Sequence, residues 1–238
     1  MRIMTFNIQH CRNYLNRTID IPLFAETIRN YEADFCGLNE VRGEGPIEGY
    51  TNQTDALGDL LKFERYFGQA IMVNGTSPYG NAILGRYAFK SVETVAVPEP
   101  EEETEDTYYE ERCIIRAVAE VEGREICLLV THMGLAVDER INAVSELCKI
   151  IDETDIPLVL MGDFNTTPDD EVLAPLFERL RDTDETADYL CKPTFPSDAP
   201  EIKIDYVLYR GLECVSVETV AEVVSDHLPI VAEFEFAD

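Results

Sequence analysis

The run Leu158-Val159-Leu160-Met161-Gly162-Asp163-Phe164-Asn165 narrows the possible folds more than any other stretch of the chain. Consecutive apolar residues bounded by Pro157 and Gly162 read as a strand buried on both faces. An acid and an amide stand two positions apart at its carboxyl end. In extended backbone, residues i and i+2 point the same way, so Asp163 and Asn165 would face one spot at the mouth of a sheet. That is where α/β proteins tend to place ligands. The same residues also suit a turn, because Gly-Asp and Asn are common turn residues. The ends of the other strands bear on that choice.

Arg2 to Ile8 is strand-like and carries Asn7 near its end. A helix is expected from Ile21 to Tyr31, capped by Asp20 with Pro22 in the first turn and Leu23, Ile28 and Tyr31 available for the core. A second strand, Asp34 to Leu38, ends in Asn39-Glu40-Val41, and a short helix spans Thr54 to Leu61. Tyr66 to Val73 and Asn81 to Gly85 read as strands joined by a loop over 74–80. Phe89 to Val97 precedes a Pro-bounded acidic run that opens the 98–111 segment, the composition of an exposed loop.

Cys113 to Val121 and Glu125 to Thr131 flank Glu122-Gly123-Arg124 as a hairpin, and the second strand runs into His132. An amphipathic helix is expected over Asp138 to Ile151, with Ile141, Val144, Leu147, Cys148 and Ile151 on one face. Thr167-Pro168-Asp169-Asp170 has the pattern of a cap for a helix running to about Leu180. Ile202 to Tyr209 alternates like a strand but contains Asp205, and an unpaired buried carboxylate is costly, so a partner is expected. Cys214 to Val220 and Ile230 to Phe236 complete the strands, the latter preceded by Ser225-Asp226-His227-Leu228-Pro229. Strands outnumber helices and hairpins mix with crossovers, which favours mixed sheets covered by helices. No domain boundary is visible, so residues 1–238 are expected to form a single domain.

Charge narrows the partners. The chain has 47 Asp plus Glu against 19 Lys plus Arg, a formal net charge of -28. Such an excess repels nucleic acid and anionic membranes at long range, although a bound divalent cation reverses the sign locally. Seven cysteines without a C-x-x-C pair read as free thiols of a reducing compartment. The chain opens directly into a strand pattern, and no apolar run approaches the ~18 residues of a membrane span. A cytoplasmic protein with no membrane span and no protein partner is the expectation.

Asn7, Glu40, His132, Asp163 with Asn165, Asp205, and Asp226 with His227 each lie at or near the end of a strand-like run. Hard oxygens with few sulfur or imidazole partners suit Mg²⁺ or Mn²⁺ better than Zn²⁺. An imidazole able to pair with a buried Asp, and an Asp able to hold a water, fit phosphate chemistry.

In order and wording these motifs resemble the endonuclease/exonuclease/phosphatase superfamily, with its deoxyribonuclease I-like fold, in the form of a small bacterial-type metal-dependent hydrolase. The resemblance runs from Thr5-Phe6-Asn7-Ile8 through Asn39-Glu40-Val41, Gly80-Asn81-Ala82-Ile83-Leu84, Thr131-His132, Gly162-Asp163-Phe164-Asn165, Thr194-Phe195 and Ile204-Asp205-Tyr206 to Ser225-Asp226-His227-Leu228-Pro229. It implies a four-layer α/β sandwich, two mixed β-sheets packed face to face and flanked by helices, with a Mg²⁺ site where the sheet edges meet and Mn²⁺ as a substitute. It implies Glu40 as the principal metal ligand, with Asn7 and Asp226 close to the ion. Asp163 would orient or deprotonate the attacking water, and Asn165 would hold the phosphate. His227 would face the phosphoryl group with Asp205 as its orienting partner, and His132 would contact the phosphate. Arg112 and Tyr79 fall where relatives place a phosphate-binding Arg and an active-site aromatic. The family often has Gln before the metal Glu. Here the residue is Asn39, one methylene shorter, with room to reach a different partner.

The substrate expected from this reading is a phosphoester of a small molecule, cleaved as a phosphodiester or phosphomonoester. The alternative is an endo- or exonuclease with the same site, for which Arg12, Arg17, Arg42 and Arg112 could line a basic face. A non-catalytic scaffold on this fold is the third class. A scaffold would be free to lose Asp163 or His227, and this chain has both.

Overall fold

The computed structural model describes residues 1–185 and 192–237. Its strands are β1 (Arg2–Asn7), β2 (Phe35–Arg42), β3 (Glu64–Val73), β4 (Ser77–Gly85), β5 (Phe89–Ala96), β6 (Cys113–Val121), β7 (Arg124–His132), β8 (Leu158–Asp163), β9 (Arg181–Asp182), β10 (Asp205–Arg210), β11 (Leu212–Thr219) and β12 (Ile230–Phe236). The α-helices are α1 (Ile21–Asn30), α2 (Gln53–Leu61), α3 (Val137–Asp152) and the single-turn α4 (Ala174–Phe177). One six-stranded sheet runs β11-β12-β1-β2-β4-β3 and the other β5-β6-β7-β8-β10-β9. Each sheet has a central parallel pair, β1 with β2 and β7 with β8, and both are therefore mixed. The two sheets and their flanking helices form the expected α/β sandwich.

Side-chain alternation explains the layering. On β8, Leu158 and Leu160 pack under α3 and α4, whereas Val159 and Met161 pack between the sheets. On β1, Met4 and Phe6 lie under α1 with Phe24 and Ile28, and Ile3 faces the other sheet. Gly37 of β2 lies where the two sheets approach closely. A Cβ there would lie 2.6 Å from the Met161 side chain, so only glycine leaves room for that thioether.

Several expected boundaries move. The strand placed over Asn81–Gly85 begins at Ser77, and the loop shrinks to the turn around Asn74-Gly75-Thr76. Gly80 permits this, because a Cβ at that position would lie 2.1 Å from the Gly68 carbonyl of β3. β2 continues past Leu38 through Glu40 to Arg42, with a bulge between Leu38 and Val41. The single helix expected over 167–180 is instead a 3-10 turn, Glu171–Leu173, followed by α4. Asp170 caps the turn, and Pro175 removes a donor that a longer helix would need. In α3 the buried face is rotated from the expected one. Ala143, Val144, Leu147, Ile150 and Ile151 are buried, and Ile141 is 52% exposed. In α1 the buried residues are Phe24, Ala25, Thr27 and Ile28, while Leu23 and Tyr31 pack only at the margin. Ile202 makes one isolated bridge to Phe195, and the strand proper starts at Asp205.

Cys11, Cys36, Cys113 and Cys127 are buried free thiols, Cys148 is half-buried, and Cys191 lies outside the described residues. Among the described residues no helix is long and apolar enough to cross a membrane.

Candidate active site

The alternation that fills the inter-sheet core also sets the site. Ile3, Val130, Met161 and Val207 face inward from β1, β7, β8 and β10. Following each row to the strand end in steps of two residues reaches Asn7, His132, Asp163 and Asp205. The apolar rows thus end in polar groups at one edge of the sandwich. Register then aligns them. His132 pairs with Asp163 across parallel β7 and β8, and Asp205 pairs with Asp163 across antiparallel β8 and β10. Asp205 therefore opens its strand rather than sitting within it, and the antiparallel pairing brings it to the edge where β8 ends. Gly162 is required here, since its φ is +147° and a Cβ would lie 1.8 Å from the Thr131 carbonyl.

Asn39 continues the inward row of β2 and links both sheets. Its Oδ1 accepts from the Asp163 backbone N–H at 3.0 Å, and its Nδ2 donates to Asn81 Oδ1 and the Thr131 carbonyl, each at 2.9 Å. Glu40 is off that row. It reaches the cavity because its backbone is left-handed, φ 59°, at the bulge of β2. Glu40 Oε1 accepts from Asn7 Nδ2 at 3.1 Å and Oε2 from the Tyr79 hydroxyl at 2.9 Å. Burial, and then the Glu40 carboxylate, push the Tyr79 phenol far above its usual range. It stays a donor.

Asp163 is 1% exposed. Its Oδ1 accepts from the Asn165 backbone N–H at 2.9 Å and its Oδ2 from Asn7 Nδ2 at 3.0 Å. Burial raises its pKa to about 7, against the opposing pull of His227, with the Asp205 charge raising it further. His227 Nδ1 lies 2.9 Å from Asp205 Oδ2 and Nε2 lies 3.6 Å from Asp163 Oδ2. Burial alone would lower the His227 pKa, but Asp205 and then Asp163 outweigh it and raise it to about 10. Phe195 packs on the ring with centroids 4.9 Å apart.

His132 behaves oppositely. Burial, then Arg112 and His227, hold its pKa well below the usual value, so the ring is neutral. Arg112 Nη1 lies 3.3 Å from His132 Nδ1 and can only donate. His132 Nε2 lies 3.6 Å from Asp163 Oδ2. Asn165 Nδ2 donates to the Met133 carbonyl at 2.8 Å and lies 3.1 Å from His132 Nε2. Arg112 is paired with Glu110 at 3.0 Å, with only 9% of its side chain exposed.

Glu40, Tyr79, Arg112, His132, Asp163, Asn165, Asp226 and His227 line one cavity of about 350 Å³. Asn7 and Asp205 stand buried directly behind it. The structure therefore gathers every residue to which the family resemblance assigns a role, whereas Arg12, Arg17 and Arg42 are not among the residues lining this cavity. It adds Glu110, Leu135 and Phe195 as lining residues. It also adds Gln9, whose Nε2 donates to Asp226 Oδ2 at 2.5 Å. Gln9 follows Asn7 by two positions, a spacing that could have marked it. Glu110 is hidden within the acidic run, and nothing local distinguishes it from its neighbours.

The donor set fits Mg²⁺ or Mn²⁺ at Glu40. Carboxylate oxygens of Glu40 and Asp226 face the cavity, and Gln9 Oε1 is a buried oxygen without a partner. Asp163, Asp205 and His227 also lie within 4.8 Å of one another. That trio suits a cation poorly, because both ring nitrogens of His227 face carboxylates and leave no lone pair for an ion.

Residues 4–227 match the Endonuclease/Exonuclease/phosphatase family. The chain is 25% identical over 174 residues to the uncharacterized protein YbhP of Escherichia coli (strain K12), an alignment covering 69% of this chain and 66% of that protein. The chain thus spans just under two thirds of that relative's length. An endonuclease/exonuclease/phosphatase from Beutenbergia cavernae superposes with a TM-score of 0.80 at 24% identity, covering 100% of this chain and 72% of that one. The mannosyl-6-phosphatase Bt3783 of Bacteroides thetaiotaomicron superposes at 0.77 with 15% identity, covering 99% and 100%. With its motifs in order along both sheets and the match extending over nearly its whole length, the chain belongs to the endonuclease/exonuclease/phosphatase family.

Proposed function

We propose that this protein is a Mg²⁺-dependent hydrolase of phosphoester bonds acting on a small phosphorylated substrate. The observation that carries the reading is the convergence of Asp163 and the Asp205–His227 pair with Glu40 in one cavity, drawn from both sheets. In the reaction, water attacks phosphorus in line, the P–O bond to the ester oxygen breaks, and that oxygen leaves as an alcohol protonated from solvent. Asp163 Oδ2 takes the water proton, held for this by Asn7 and by the Asn165 backbone N–H. His227, kept as an imidazolium by Asp205, presents its Nε2 proton to the phosphoryl group. The Asn165 amide, with His132 beside it as a second phosphate contact, supplies a further donor on the same side. Mg²⁺ held by Glu40, with Asn7 and Asp226 beside it, would supply positive charge to the phosphoryl oxygens. A cation is needed on charge grounds, since Glu40, Glu110, Asp163 and Asp226 outnumber Arg112 and His227 around the cavity.

The small-substrate reading rests on the net charge of -28 and on the acidic lining of this cavity and its neighbour. The likeness to the mannosyl-6-phosphatase Bt3783 is consistent with it. A nuclease with the same site is the second reading, favoured by Arg12 and Arg42, which enter no ion pair among the described residues. The test is hydrolysis of a panel with Mg²⁺ and with chelator: plasmid and single-stranded DNA, RNA, bis-p-nitrophenyl phosphate, p-nitrophenyl phosphate, inositol phosphates and sphingomyelin. Turnover of small esters that chelator abolishes is expected. Plasmid nicking well above the small-ester rates would establish the nuclease reading. No turnover of any ester would leave a scaffold.

A further inference from the structure

Resting on the phosphoester reading above, we propose that Glu110 is a specificity-determining residue. Paired with Arg112 in the catalytic cavity, it selects a singly charged phosphodiester over a doubly charged phosphomonoester. Both side chains line that cavity together with Asp163, Asn165 and His227. Short contacts tie them to the phosphoryl side of the site. Glu110 Oε2 lies 3.0 Å from Arg112 Nη1, Arg112 Nη1 lies 3.3 Å from His132 Nδ1, and His132 Nε2 lies 3.1 Å from the Asn165 amide. The arginine that lines the cavity therefore has its charge already matched by a carboxylate.

Glu110 is held in that place. Its backbone N–H donates to Glu139 Oε1 at 3.0 Å, and Glu139 Oε2 accepts from the Ala136 N–H at 3.2 Å, at the start of α3. Gly134 lies tight against Glu139, where a Cβ would come 2.3 Å from Oε2. Beside it, the Tyr109 hydroxyl donates to Asp138 Oδ2 at 2.9 Å. The end of the acidic 98–111 segment is thus fastened to α3, and the backbone carrying the carboxylate is fixed next to Arg112. Only 17% of the Glu110 side chain is exposed, and burial raises its pKa against the pull of Arg112. A second negative charge brought beside it is therefore screened by protein rather than by water.

Charge and room favour the same substrate. A phosphodiester brings one negative charge, whereas a monoester carries about -1.5 to -2 at neutral pH. Glu40, Asp163 and Asp226 already face the same space as Glu110, and like charges at such range oppose the second ionisation. A diester also has a second arm to place. A further cavity of about 210 Å³ shares Glu110 and Arg112 with the first and is walled by Val97, Pro98 and Pro100 as well as by acids. It gives that arm a seat that a monoester leaves empty. Hydrolysis adds water across one P–O ester bond and yields an alcohol and a monoester. The product thus carries the extra charge that Glu110 disfavours, and its release is favoured.

The test uses methyl p-nitrophenyl phosphate and p-nitrophenyl phosphate, which share a leaving group and differ by a methyl group and a charge, at fixed Mg²⁺. Wild type is expected to favour the diester in kcat/KM. In Glu110→Gln the diester-to-monoester ratio should fall by about tenfold or more, the effect of one like charge at short range, chiefly through a lower KM for the monoester. Glu110→Asp keeps the charge and should keep most of the ratio, which a packing role would not predict. Calorimetric titration of both esters into Asp163→Asn and Asp163→Asn/Glu110→Gln proteins with Mg²⁺ reads the same ratio in binding. A ratio that falls in binding, with no turnover of either ester by wild type, would overturn the hydrolase reading and keep the role of Glu110. A ratio that Glu110→Gln leaves unchanged in both assays, whether both esters gain or both lose, would overturn that role. Monoester preferred by wild type in both assays would overturn the diester assignment.

Discussion

On the wall carried by β1, β2 and β4, the Glu40 carboxylate stays partly open to the cavity and takes hydrogen bonds from Asn7 and Tyr79. On the wall carried by β7, β8 and β10, Asp163 and Asp205 are each 1% exposed, and the His227 ring lies against them. Both walls are strand ends with carboxylates, and on the second burial raises the Asp163 pKa to about 7 while Asp205 and then Asp163 raise that of His227 to about 10. Burial makes the difference. A wetter carboxylate is open to a cation, whereas a dry one beside an imidazolium is poised to exchange a proton.

The sharpest way to break this contrast is to remove the proton acceptor. Asp163→Asn is expected to lower kcat by about 10²–10⁴-fold, the usual reach of a general base, in a steady-state assay at saturating substrate. The folded protein should survive, because the buried charge is itself costly. The Asp163 pKa is raised from 3.8 to about 7, so its stabilising contribution is complete below pH 3.8 and lost as pH rises through about 7. A variant that turns over near the wild-type rate would remove Asp163 from the mechanism. His227→Ala comes next, with a loss of about 10²–10³-fold in kcat. It should also lower unfolding stability by about 3–5 kcal/mol, since Asp205 is left buried and charged without its partner. Urea titration measures the second effect, and unchanged stability would mean that the pair is not an ion pair.

On the wetter wall, Glu40→Gln is expected to raise the Mg²⁺ concentration for half-maximal activity by about tenfold or more. Calorimetric Mg²⁺ titration of the variant gives the same answer without turnover, and an unchanged affinity would place the ion elsewhere. A pH profile compares the walls within one protein. Activity should rise as Asp163 loses its proton near or below pH 7, with more Mg²⁺ moving that limb down, and fall as His227 loses its proton toward pH 10. His227 is raised from 6.5, so its stabilising contribution is complete below pH 6.5 and is lost as pH rises through about 10. The smallest expected effect is that of Tyr79→Phe, which removes one hydrogen bond to Glu40 and should weaken Mg²⁺ by only about fivefold, roughly 1 kcal/mol.

Much of the site was legible because it is local. Asn7, His132 and Asp163 end strands whose alternation can be followed along the chain, and each continues an inward row of apolar residues. The acid within the Ile202–Tyr209 pattern called for a partner, and His227 provides it. The four apolar residues of β8 pack alternately against helices and the opposite sheet, as a run buried on both faces requires. Elements fixed by distant partners moved instead. The Asp138–Ile151 helix turned its face because the β7 and β8 side chains beneath it select Ala143 and Ile150 over Ile141.

By itself the chain determined its strand rows, its acidic balance and the polar groups that terminate those rows, because periodicity and charge are properties of neighbours in sequence. Tertiary structure alone decided how Glu40 enters the cavity, since its carboxylate arrives through a bulge that exists only once β2 pairs with β4. It also decided that Asn39 would tie the two sheets together and that Gln53 would hold His10 against Arg42. Those contacts join residues far apart in sequence, and only the packing of one sheet on the other brings their atoms within hydrogen-bond range.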